Sequence, residues 1–115
     1  TTGSQSIAGG KAHAVVALAS TGQITPDLAA GNNFSLAMTV NTTLAVASNP
    51  TAGQEGRITV TQNSTAKTLA YNSTFWKFAS TAVLSTATVV GTRDVIDFYV
   101  MDSTSAACRI INNPL

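Results

Sequence analysis

Residues 33–40 read Asn-Phe-Ser-Leu-Ala-Met-Thr-Val, and their alternation is strict. Phe34, Leu36, Met38 and Val40 fall on one face, and Asn33, Ser35, Ala37 and Thr39 on the other, the period of two that a half-buried strand requires. Working outward, the apolar pattern resumes at Leu44 and Val46, and residues 49–56, with Pro50, Gly53 and Gly56, read as a loop. A second alternating strand places Ile58 and Val60 inward against Arg57, Thr59 and Thr61, then turns through residues 63–66 into Leu69 and Tyr71 as a hairpin. Trp76 and Phe78 share a face with Lys77 between them and bring large apolar area to the core. Over residues 94–101, Ile96, Phe98 and Val100 oppose Val95, Asp97, Tyr99 and Met101, and a turn at 102–104 leads into a last strand over 105–111.

Helical spacing is weak throughout, and β-branched residues are spread over every segment. The expected fold is all-β: an antiparallel β-sandwich or partly closed barrel with a flexible N-terminal arm. Its core should be Phe34, Leu36, Met38, Ile58, Val60, Trp76, Ile96, Phe98 and Val100. Residues 1–20 are expected to be the arm and a first short strand, and residues 21–115 the β-sandwich domain. The arm is Gly/Ser/Thr-rich, with Ile7 its one large apolar residue before Lys11, so it should add little to stability and matter for assembly.

The 115 residues suffice for one domain with a single core. Thr and Ser together make up about a quarter of them, and only 10% are charged. Six Lys+Arg against five Asp+Glu give +1, too little positive charge to hold nucleic acid by its phosphates. The longest apolar run, residues 12–19, is interrupted by His13 and far shorter than the roughly 20 residues of a membrane span, so no membrane insertion is expected. The same run is too weakly hydrophobic for a signal peptide. Thr1 is small enough for an initiator Met to be trimmed before it, so the chain is expected to be a whole small protein.

Candidate chemistry is thin. His13, the only histidine, lies in an Ala/Val run, and no Gly-x-Ser-x-Gly elbow offers it a nucleophile. Asp94 and Asp97 sit three apart on a strand, so they point to opposite faces and do not share a substrate. Asp94, Asp97 and Asp102 lack the spacing with which one loop wraps calcium. Cys108, the one cysteine, shares a face with Ala106 and Ile110 and reads as a small buried hydrophobe, so neither an intrachain disulfide nor a Cys-based zinc site is expected. The Gly53-Gln54-Glu55-Gly56 loop has no following Lys and no helix, so turn geometry accounts for it rather than a phosphate cradle. Sequons at Asn33, Asn41, Asn63 and Asn72 exceed chance only slightly, since roughly two are expected in so Ser/Thr-rich a chain. Tyr71 and Trp76 would stack on a sugar if exposed, but the alternating pattern favours their burial. No catalytic, cofactor-binding or metal-ligating residue is therefore assigned.

One ordered set of landmarks remains. It runs Asp27-Leu28 and Gly31-Asn32 before Phe34-Ser35-Leu36, then Leu44, Asn49-Pro50, Gly53-Gln54-Glu55-Gly56 leading into Ile58, Gln62, Trp76-Lys77-Phe78, and Asp94-Val95 leading into Phe98-Tyr99. This order, spanning residues 27–108, resembles a β-domain of bacteriophage virion proteins, notably tail fibres and other surface structural proteins. The chain departs from that pattern at residues 63–66 and 79–82, which lack the usual glycines. The resemblance implies a non-enzymatic viral structural protein of the virion, assembled in the host cytoplasm, without cofactor, and packed as a homotrimer against itself and against the major capsid protein or tail proteins. Because shaft repeats are lacking, the first expectation is a capsid decoration protein that cements the particle. The alternative is a receptor-binding tail-fibre domain recognising a host surface glycan. A secreted carbohydrate-binding module or small hydrolase is the third reading, and it lacks the site residues it would need.

Overall fold

A computed structural model describes residues 14–62, 67–78 and 93–112. Among these residues the chain is all-β, without a helix, and forms nine strands: β1 (Val15–Leu18), β2 (Gln23–Ile24), β3 (Asn33–Met38), β4 (Thr42–Leu44), β5 (Glu55–Gln62), β6 (Leu69–Tyr71), β7 (Trp76–Phe78), β8 (Arg93–Asp102) and β9 (Ser105–Asn112). They make a six-stranded sheet in the order β1-β3-β5-β8-β9-β7 and a three-stranded sheet in the order β2-β4-β6.

The chain alternates between the two sheets from β1 to β7. After each strand of the large sheet it makes one short strand in the small sheet and returns in its original direction. The ladders β1–β3, β3–β5, β2–β4, β4–β6 and β7–β9 are consequently parallel, and only β5–β8 and β8–β9 are antiparallel. The expected antiparallel architecture is thus corrected to two mixed or parallel sheets, neither of which closes on itself among the described residues. Alternation is blind to this difference, because side chains change faces every residue in both kinds of ladder. A parallel return needs a connection of about a dozen residues, and residues 19–32 and 39–54 supply such connections, each carrying its short strand.

The expected hairpin from Thr61 into Tyr71 is also overturned, since β6 pairs with β4 in the other sheet. The Gln62 side chain diverts the chain there: its Nε2 donates to the Lys67 carbonyl at 3.0 Å and its Oε1 accepts from the Lys67 amide at 2.9 Å. Val40, expected on the core face, is 44% exposed. The strand stops at Met38 because the Ser20 hydroxyl accepts from the amides of Thr39 and Val40, at 2.9 and 3.3 Å, in place of a ladder. Val46 is likewise exposed, and Ala47 takes the buried place after β4. The terminal hairpin stands as expected, with Asp102 accepting from the Thr104 amide and hydroxyl, both at 2.8 Å, to close its turn.

All nine expected core residues are buried. Ile24, Leu28, Leu44, Leu69, Phe75 and Ala106 join them. A train of rings crosses this core from Phe34 to Phe98 (centroids 6.5 Å), Phe98 to Trp76 (5.8 Å, edge-on) and Trp76 to Phe75 (4.9 Å, edge-on). Edge-on packing sets the positive rim of one ring against the negative face of the next. Trp76 Nε1 donates to the Ala45 carbonyl at 2.8 Å, which ties β7 of the large sheet to the end of β4 in the small one.

Candidate functional site

The side of the large sheet turned away from the core carries most of the charge. Along β5, β8 and β9 the inward positions are apolar apart from the buried Gln62 and Asp94, and Glu55, Arg57, Arg93, Asp97 and Arg109 occupy outward positions. Register aligns three of them in one cross-strand row, with Arg57 opposite Asp97 and Asp97 opposite Arg109. Asp97 Oδ1 accepts from Arg57 Nε at 2.8 Å, and Oδ2 accepts from Arg109 Nε at 3.1 Å, with Arg109 Nη2 also 3.1 Å away. The carboxylate is 19% exposed and the two arginine side chains 66% and 76%, so the pairs are solvated and hold geometry more than they add stability.

This row floors a groove of about 570 Å³, with Tyr99 and Glu55 beside it and Asn32 at its rim. Such a volume falls within the range of about 300 to 1,000 Å³ common to small-ligand clefts. Tyr99 is 46% exposed, whereas the other tyrosine, Tyr71, packs inward against Phe78 (centroids 4.4 Å). Asn32 is fixed by Gln54, whose Nε2 donates to Asn32 Oδ1 at 2.7 Å and to the Leu28 carbonyl at 2.8 Å.

Of the residues weighed in the sequence, Asp94 and Asp97 do lie on opposite faces, Asp94 buried and Asp97 at the groove. Asp102 is occupied by its own turn, and Thr104 and Ser105 hold its carboxyl below the usual range. Among the described residues no three of His, Cys, Asp and Glu cluster as metal ligands. His13 and Asn63 lie outside the described residues. The Asn41 and Asn72 side chains accept from the amides of Thr68 and Thr74, both at 2.9 Å, and serve as turn braces. Trp76 is fully buried, so it offers no platform to a sugar.

The segment read as a glycine turn divides in two. Gly53 takes φ 90° and makes the turn, whereas Glu55 and Gly56 already belong to β5. Asn49 also adopts a left-handed φ of 54° and donates to Asp27 Oδ1 at 2.9 Å, which holds the Asp27 carboxyl below its ordinary value.

Cys108 packs half-buried against the core, and burial pushes its thiol up to about 12 from 9.0. A raised folded value means that the neutral thiol stabilises the fold fully below pH 9.0 and that this contribution is lost as pH climbs towards 12. In the native protein, alkylation of Cys108 at pH 8 is expected to run about a hundredfold or more slower than that of an unfolded control, because thiolate is the reacting form. Equal rates would show the thiol to be solvated.

The groove escaped the sequence reading because its parts are 40 and 12 residues apart and meet only through cross-strand register. The available signal was Arg57, Asp97, Tyr99 and Arg109 on the polar faces of three alternating segments. Comparison of the chain with protein-family models, with curated proteins and with solved structures finds no match.

Proposed function

We propose that the chain is a non-enzymatic structural protein of a bacteriophage particle, a self-associating β-domain that decorates the capsid and cements contacts between its subunits. The observation that carries this reading is the work done by the landmarks of the virion resemblance. Asp27 and Asn49 brace one loop junction, Gln54 clamps Leu28 and Asn32, Gly56 lets Asn32 pass, and Trp76 anchors the core. These are scaffold duties, suited to a protein that acts by shape and contact rather than by turnover.

The outer face of the large sheet divides into two regions. Towards the β1 edge it presents Val15, Ala17, Asn33, Ser35, Ala37 and Thr59, a neutral surface of small side chains. Small neutral side chains allow close subunit approach without burying charge. In this reading the self-contact falls on the β1–β3 side, because the outer faces of β5, β8 and β9 carry charge. Attachment through the neutral side should change little with ionic strength, since screening acts on exposed charges.

Particles depleted of this protein should lose resistance to heat and keep adsorption to the host. Loss of adsorption with equally robust capsids would replace the decoration role by the receptor-binding fibre role, the second reading that the groove favours.

A further inference from the structure

We infer that the groove over β5, β8 and β9 is a binding site for a neutral saccharide. The inference concerns this surface alone and stands whether the chain sits on a capsid or a fibre.

The charges that line the groove cancel: Arg57 and Arg109 against Asp97 and Glu55. An inorganic anion or a nucleic acid phosphate calls for a surplus of positive charge, which the groove does not hold. What it does hold is a mixture of directed donors and acceptors. Asp97 accepts through Nε of Arg57 and through Nε and Nη2 of Arg109, so both guanidinium planes are oriented while Nη groups remain to donate. Asn32 spends its Oδ1 on Gln54, and its Nδ2 has no hydrogen-bond partner among the described residues. Glu55 supplies an exposed acceptor directly across from Tyr99 in the β5–β8 register. A pyranose ring presents the complement of this set, with hydroxyls that donate and accept around its edge and an apolar C–H face that packs on an aromatic ring. Tyr99 provides that ring, with a phenol that can itself hydrogen-bond.

Titration of the folded protein with neutral oligosaccharides of hexose and N-acetylhexosamine units, followed by amide chemical shifts, tests the site. Sialylated and uronate-containing oligosaccharides serve as the acidic comparison. Neutral sugars are expected to bind at about millimolar strength, shifting the amides of Asn32, Tyr99 and Arg109. Tyr99→Ala and Arg109→Ala should each weaken binding about tenfold, whereas Arg93→Ala, on the same face four residues along β8 from Asp97, should leave it unchanged. Trp76 fluorescence reports whether each variant keeps its fold, and Tyr99→Leu, which keeps the bulk but not the ring, serves if Tyr99→Ala does not. Binding of the acidic sugars alone, binding indifferent to Tyr99 and Arg109, or no binding by any sugar would overturn the assignment.

Discussion

Trp76→Ala is expected to lower the unfolding free energy by about 3 to 5 kcal/mol, the usual cost of emptying a large aromatic site in a core. Trp76 has no exposed surface, touches Phe75 and Phe98 edge-on, and gives its one polar hydrogen to Ala45. Truncation removes all three contacts and leaves a carbonyl that had a partner without one. Against a total stability of about 5 to 15 kcal/mol, such a loss should lower the melting temperature by at least about 10 °C. Trp76→Phe, which keeps a ring but not the N–H, should lose less. Chemical denaturation followed by circular dichroism measures both, and a Trp76→Ala protein as stable as the wild type would mean that the residue does not join the sheets.

The second large effect is expected at Gly56. A Cβ there would run into the Asn32 carbonyl oxygen and the ring of Phe98, and the first of these is backbone that the Arg57 amide already binds at 3.0 Å. Forcing one methyl into such a contact typically costs about 1 to 3 kcal/mol. Because Asn32 borders the groove, Gly56→Ala should also shift the amide signals of the groove residues. Gly22→Ala is the matched control, since a Cβ there meets nothing within 4 Å, and its stability should stay within about 0.5 kcal/mol of wild type. Equal melting curves for the two variants would contradict the close passage of β5 under the 31–32 segment.

Gly56 also marks how far the sequence could be read. It looked like Gly53, a turn glycine, and nothing local distinguishes a glycine that supplies positive φ from one that admits a crossing chain. Burial was legible: alternation located Phe34, Ile58, Ile96 and their neighbours because inward positions are mainly apolar whatever the strand direction, with Gln62 and Asp94 the buried polar exceptions. Phe75 broke the pattern by being buried beside Trp76, which happens where a turn delivers the chain into a strand. Direction and partnership were not legible. β4 and β6 are three residues each, too short for alternation to assign them to a second sheet, and the side chains that route the chain between sheets, Ser20 and Gln62, are ordinary polar residues in sequence. The adjacent β8 and β9 were legible as a pair because a two-residue turn leaves no other partner within reach.

The charged row shows the same limit in functional form. Asp97 was weighed against Asp94, its neighbour in sequence, although its real partners are Arg57 and Arg109 across the ladders. Chemistry assembled by register becomes visible only when the register is known.

Electron microscopy of intact particles, locating this chain, tests the proposed decoration of the capsid. Repeated density on the capsid lattice, with the β1–β3 side against neighbouring subunits and occupancy little changed by high salt, is the predicted result. Density confined to a fibre tip, or particles that carry none of the protein, would contradict it.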